Sequence, residues 1–232
     1  MPTRHIIAIG GGGYQREPAY AKIEDYLLRL TGKASPKVCF IPTASGDDMK
    51  SILQFYTYFA GGRSQPSHLP LHTVPRTDIR EHILQQDLLY VGGGNTANML
   101  AVWRIHGMDQ YLREAYEAGI PLAGWSAGMI CWFQCSVTDS FGPLAALRDG
   151  LGFLPFSACP HYDGEAQRRP TYHRLIEAGF PQGYAADDLA ALHFQDGQLH
   201  TCITAKPLGR CYRVQLKEGH VVEECLSTEP LS

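Results

Sequence analysis

The sequence predicts an α/β protein with a doubly wound, mostly parallel sheet and antiparallel hairpins toward its C-terminal end. Three observations carry that prediction. Short apolar runs alternate with longer amphipathic stretches over residues 5–125. The runs are apolar at successive positions, so both faces of each strand are buried, as in a parallel sheet covered by helices on each side. Beyond residue 190 the pattern changes to paired strand-like runs around Asp196-Gly197 and Glu218-Gly219, which are hairpin turn signals.

The elements follow in order. HIIAIG (5–10) reads as a strand and AYAKIEDYLLRLTG (19–32) as a helix stopped at Gly32. KVCFIPTA (37–44) is a strand, DDMKSILQFYTYFAGG (47–62) a helix, SHLPLH (67–72) a weaker strand and TDIREHILQQ (77–86) a short helix. DLLYVGGG (87–94) is a strand, NTANMLAVWRIHG (95–107) and MDQYLREAYEAG (108–119) are helices, and IPLAGW (120–125) is a strand. The two hairpins, LHFQDGQLHTCI and CYRVQLKEGHVVEECL, are expected to extend the same sheet. No linker, repeat or low-complexity segment interrupts the 232 residues, which are expected to form a single domain.

Composition narrows the function. Hydrophobic residues make up 44% and charged residues 19%, enough apolar content for a full core. The net charge of −3 and the lack of a basic run argue against nucleic acid as a partner. No apolar stretch approaches the length of a membrane span, and the N-terminal apolar run is too short for a signal peptide. Seven cysteines without a C-x-x-C pair fit reduced, mostly buried thiols and a cytoplasmic protein. Cys131 and Cys135 lie four apart and could share a helix face, but no metal site is expected there.

The chemistry concentrates at glycine-marked strand ends: Gly10–Gly13, Gly92–Gly94 and Gly124. Open α/β sheets bind ligands at the carboxyl ends of their strands. Gly124 to Gly128 reads G-x-S-x-G, a strand–turn–helix pattern that lifts a serine hydroxyl to solvent. Ser126 would need a base and a group to orient that base. His161, after the apolar FSACP, is the most pointed of ten histidines. Asp139 in SVTDSFG and Asp188 in GYAADDLAAL are the candidate acids, and Asp187 beside Asp188 should raise its pKa. In GGGNT (92–96), Asn95 or Thr96 can cap the next helix. An amide near Gly94, with that of Ala127, suits an oxyanion hole. Gly92, Gly94 and Ala97 also fit G-x-G-x-x-A, a weak phosphate-loop pattern, whereas Gln15 breaks it in the first loop.

GGGNT (92–96), GWSAG (124–128), the Pro160-His161 dipeptide and AADDLAAL (185–192), in this order, resemble the peptidase E family of serine peptidases, relatives of cyanophycinase. The resemblance runs from Gly10 to about residue 195. It implies a flavodoxin-like fold akin to class I glutamine amidotransferases, with serine as the nucleophile. It implies Ser126 as nucleophile, His161 as base, and the amides of Gly94 and Ala127 as oxyanion donors. For the third member the family offers a glutamate on the later strand end, matched by Asp188, or an aspartate after the serine, matched by Asp139. Asp188 is favoured. Cleavage after an N-terminal aspartate would call for a guanidinium. Arg168, Arg169 and Arg174 are the candidates, with Asn95 as a further substrate contact. A homodimer is a looser expectation, and no cofactor or metal is needed. Two alternatives stand beside this reading. One is a hydrolase of another amide or an ester, with the order Ser126, Asp139, His161. The other is a non-catalytic binding module built on the glycine loops.

Overall fold

In the computed structural model, residues 2–12, 21–73 and 76–231 are described. Gly13, Gln15 and the first two residues of the expected 19–32 helix lie outside them.

Five strands, all but the edge strand β3 largely buried, form the parallel part of the first sheet: β1 (His5–Ile9), β2 (Lys37–Ile41), β3 (Gln65–His68), β4 (Leu88–Val91) and β5 (Leu122–Trp125). Their order from the edge is β3, β2, β4, β5, β1. The helices between them are α1 (Lys22–Leu30), α2 (Met49–Phe59), α3 (Ile79–Leu84), α4 (Thr96–His106) and α5 (Met108–Glu117). β1 shows why the apolar runs are continuous. Ile6 and Ala8 pack into one core with Trp103 and Leu112, while Ile7 and Ile9 pack into another with Leu27, Phe55 and Phe59. The period-2 alternation of a strand therefore meets an apolar layer on each face. The expected weak strand at 67–72 is displaced to Gln65–His68, pairing Lys37 with Gln65.

The second half builds a separate sheet that local pattern does not announce. A single turn of helix, α6 (Ala127–Ile130), leads into β6 (Phe133–Thr138), β7 (Ala145–Leu147), β8 (Leu154–Cys159), α7 (Arg168–Glu177) and β9 (Gly183–Ala186). The two hairpins are β10 (Ala190–Gln195) with β11 (Gln198–Thr204), and β12 (Cys211–Lys217) with β13 (His220–Leu226). The short β14 (Thr228–Pro230) follows. The first hairpin extends the first sheet as expected, because β10 lies antiparallel to β1. The second does not. β12 pairs with β9 in a six-stranded sheet ordered β13, β12, β9, β8, β6, β7. Cys131 and Cys135 also fail to share a helix face, since Cys135 lies in β6. One buried cluster joins the sheets, with Val91 and Leu122 of the first among Phe133, Leu154 and Tyr184 of the second. No helix among the described residues is long and apolar enough to cross a membrane.

His193 of β10 records the cost of burial in this core. It is 2% exposed, between the Tyr26 hydroxyl (2.7 Å to Nδ1) and His5 Nδ1 (2.9 Å to Nε2), with the His200 ring 5.3 Å away. Burial, then the His5 and His200 charges, push its pKa down to about 4. The native state thus binds fewer protons than the unfolded chain between pH 6.5 and 4, and stability falls as pH falls through that window. The depression corresponds to about 3 kcal/mol at its acid end. Denaturant unfolding at pH 7 and pH 4 should show a smaller loss for His193→Gln than for the wild type. An equal loss would place the acid sensitivity elsewhere.

Candidate active site

The site begins at the switch point of the parallel sheet. β2 and β4 are neighbours whose connections leave in opposite directions, and their carboxyl ends open a crevice. A 3₁₀ turn, Thr43–Ser45, follows β2 on one side, and Gly92–Gly94 follow β4 on the other. Gly94 has φ 139°, and a Cβ there would overlap the Ala44 carbonyl. Asn95 caps α4, accepting from the Asn98 amide at 2.9 Å, and its amide group donates to the Ser140 carbonyl at 3.0 Å.

Ser126 follows β5 with φ 56° and ψ −113°, a conformation that L residues rarely adopt. Its amide donates to the Ile9 carbonyl at 3.1 Å, and its carbonyl accepts from the Met129 and Ile130 amides. The flanking glycines let the turn fold onto β4. A Cβ on Gly124 would lie 2.8 Å from the Val91 oxygen, and one on Gly128 would collide with the same carbonyl. The amides of Gly94 and Ala127 donate to no backbone acceptor among the described residues.

His161 lies two residues beyond β8 and Asp188 two beyond β9, in parallel neighbouring strands. The Ser126 Oγ is 2.8 Å from His161 Nε2, and His161 Nδ1 is 2.6 Å from Asp188 Oδ1. With Asp188 ionised, the network assigns the ring proton to Nδ1, so that Nδ1–H donates to Asp188 and Nε2 accepts from the serine hydroxyl. The Asp188 side chain is 7% exposed. A Cβ on Gly11 would overlap both Asp188 Oδ1 and the His161 ring, and one on Gly164 would lie 2.8 Å from Asp188 Oδ2. Three non-glycine residues with positive φ meet here: Ser126, His161 at 51° and Leu189 at 63°.

The other expected residues separate. Asp139 does not touch His161. Its side chain is 59% exposed and stands 3.7 Å from the Arg168 guanidinium, so the order Ser126, Asp139, His161 forms no chain of contacts. Arg168 is buried beside the site, donating to Glu165 at 2.7 Å and to the Val137 carbonyl at 3.2 Å. Arg169 points elsewhere. It pairs with Glu223 at 2.8 Å and lies over the Tyr162 and Tyr212 rings, outside the cavities beside Ser126. Successive residues on a helix diverge by about 100°, which separates the two arginines. Arg174 is exposed in the last turn of α7. The Asp187 carboxyl is raised to about 6, first by burial and then by the Asp163 charge. One of its oxygens accepts from the Arg210 amide at 3.0 Å.

Two cavities meet at Ser126, His161 and Gly94. One, of about 250 Å³, is floored by Gly92–Gly94 and the edges of Phe40 and Trp125, with Ser45 and Ser51 at its side. The other, of about 310 Å³, carries charge: Asp139, Glu165 and Arg168, with Asn95 and Ser140. Glu165 and Gly164 were not anticipated from sequence, although HYDGE after Pro160 holds both; with Gly11, from the expected Gly10–Gly13 run, Gly164 forms a glycine cradle around Asp188.

Residues 6–202 match peptidase family S51. The chain belongs to that family. It is 47% identical over 221 residues to the uncharacterized peptidase YgaJ of Bacillus subtilis strain 168, covering 95% of this chain and 96% of that protein. Peptidase E of Pasteurella multocida strain Pm70 is 24% identical over 210 residues, 84% of this chain and 87% of its own length. In fold, the chain resembles the crystal structure of a peptidase from an acI-B1 Actinobacterium, with a TM-score of 0.67 at 17% identity, covering 97% and 94% of the two chains. The protein is a peptidase of family S51, on an α/β scaffold.

Within this S51 peptidase, the cradle glycines have a measurable role. Gly11→Ala should push the Asp188–His161 pair apart and lower kcat by at least about tenfold, the scale expected for displacing catalytic groups by an ångström. An unchanged kcat would show that the cradle has slack.

Proposed function

We propose that the chain hydrolyses small peptides by serine acyl transfer. The observation that carries this reading is the Ser126–His161–Asp188 chain of contacts, at 2.8 and 2.6 Å, on a strained turn at the mouth of two cavities. His161 Nε2 takes the hydroxyl proton as Ser126 Oγ bonds to the scissile carbonyl carbon. Asp188 holds the imidazole in the required tautomer and stabilises the imidazolium. The amides of Gly94 and Ala127 receive the oxyanion, a contribution that elsewhere is worth about 3 kcal/mol per donor. His161 then protonates the leaving amine as the C–N bond breaks. Water, deprotonated by the same ring, attacks the ester, and the acid leaves as Ser126 recovers its proton.

Peptides headed by aspartate are the specific class that Arg168 supports. Among the arginines considered, Arg168 is the one that lines the cavity beside Ser126. A fork of that kind matches a carboxylate in two contacts. The uncharged wall of Phe40, Trp125 and Gly92–Gly94 suits the remainder of a short peptide. A cytoplasmic setting, supported by the seven cysteines without a C-x-x-C pair, and a homodimer, supported by the family resemblance, belong to the same proposal.

A panel of Asp-, Leu- and Ala-headed dipeptides tests the reading. Ser126→Ala should reduce hydrolysis to background while leaving the melting temperature within a few degrees. Wild-type turnover by that variant would end the proposal. Asp188→Asn is expected to cut kcat by about 10³-fold or more, the effect of a wrong imidazole tautomer, and Asp139→Asn by far less. The reverse ranking would return the orienting role to Asp139. Arg168→Lys, which keeps the charge but loses the fork, should erase a preference for Asp-headed over Leu-headed substrates. A preference that survives would assign it elsewhere.

A further inference from the structure

We propose that Asp163 is a positioning residue, which brings the backbone of Asp188 close enough for a short aspartate arm to reach the imidazole. The inference rests on the serine-peptidase reading above and adds a residue that neither motif nor family match assigns.

An aspartate carboxylate stands only one methylene from its backbone, so a 2.6 Å contact with His161 Nδ1 fixes where the Asp188 main chain must run. Three of the hydrogen bonds around it tie it to the site. The Leu189 amide donates to the Gly11 carbonyl at 2.6 Å, and the His161 amide to the Gly10 carbonyl at 3.1 Å. These tie both loops to the end of β1. The third is the Asp188 amide itself, which donates to Asp163 Oδ1 at 2.9 Å. Asp163 sits two residues after His161, so this bond links the acid's backbone directly to the loop that carries the base.

Asp163 is itself held. Its other oxygen pairs with the Lys206 ammonium, from the segment after β11. Gly164 follows it and leaves room for Asp188 Oδ2. The strain lies in the same turn, with Leu189 at φ 63°. Such a conformation persists only where its surroundings over-determine it. The Asp163 carboxylate accepts from the one amide in that turn that belongs to the orienting acid.

Asp163 touches neither the serine nor the imidazole, so its effect must pass through Asp188. Asp163→Ala should lower kcat by about tenfold to a hundredfold, the range for a misplaced catalytic group, with KM changed less than about twofold. The discriminating measurement is a double-mutant cycle with Asp188→Glu. In the pinned turn the longer arm is crowded by Gly11 and Gly164, so Asp188→Glu alone should lose activity. Once Asp163→Ala releases the turn, the longer arm should reach His161 again, and the double variant should exceed Asp163→Ala in kcat. A merely stabilising role would multiply the two losses.

Asp163→Asn provides a milder variant should the alanine fail to fold, and it is expected to fall between wild type and alanine. The downfield proton resonance of His161 Nδ1–H gives a readout independent of turnover. It should be present in wild type and Ser126→Ala, and lost or shifted upfield in Asp163→Ala. Wild-type kcat and an unmoved resonance in Asp163→Ala would overturn the proposal, as would multiplied losses in the double variant. Failure of the serine reading has a different signature: Ser126→Ala would remain active whatever Asp163 does.

Discussion

The turn at Ser126 is the constraint to which the rest of the site is referred. Its φ of 56° and ψ of −113° cost on the order of 1–3 kcal/mol, which the surroundings must repay. They do so by confinement. β5 is paired on both sides, with Trp125 opposite Ile9 and Gly124 opposite Val91. The Ser126 amide is tied to Ile9, and Gly128 sits against the Val91 carbonyl with no space for a side chain. A β-carbon at Gly124 or Gly128 would lift the turn off β4 and move the hydroxyl away from its partner. The glycines of G-x-S-x-G are therefore packing requirements of the strand next door, and the serine's exposure is a consequence of them.

β1 carries the second requirement, alignment between the two sheets. It is paired with β5 and β10 within its own sheet. Its glycine tail then leaves two carbonyls for loops of the other sheet: Gly10 for His161 and Gly11 for Leu189. Ser126 and His161 thus share one reference strand, through the Ile9 carbonyl for Ser126 and the Gly10 carbonyl for His161. A misalignment between sheets would otherwise appear directly as a lengthened Ser126–His161 contact.

What the sequence disclosed follows from range. The parallel strands were legible because burial on both faces writes itself into consecutive apolar residues, as in LLYV. Ser126 and His161 were legible because each sits at the end of such a run. The second sheet was not. FQCSVT, AAL and GYAA are short or mixed, and a hairpin's own pattern does not say which strand its outer edge will meet. β12 met β9, not the sheet extended by β10. Which of Asp139 and Asp188 contacts His161 was closed to local reading for the same reason: that contact is a hydrogen bond across 27 residues. Arg168 and Arg169 differ only in the direction each takes from one helix, which adjacent letters cannot express.

Dividing the site between two sheets has a mechanical consequence. Ser126 belongs to the first sheet, at the strained turn after β5. His161 and Asp188 follow parallel neighbours in the second, where Cys159 pairs with Ala185 and the two loops emerge side by side. The short Asp188 arm reaches His161 only because those loops leave adjacent strand ends in register. A shift of one residue between β8 and β9 would move the Asp188 backbone by about 3.3 Å, more than the single methylene of an aspartate can recover. The register of β8 against β9 is therefore as much a determinant of the His161–Asp188 contact as the identity of either residue.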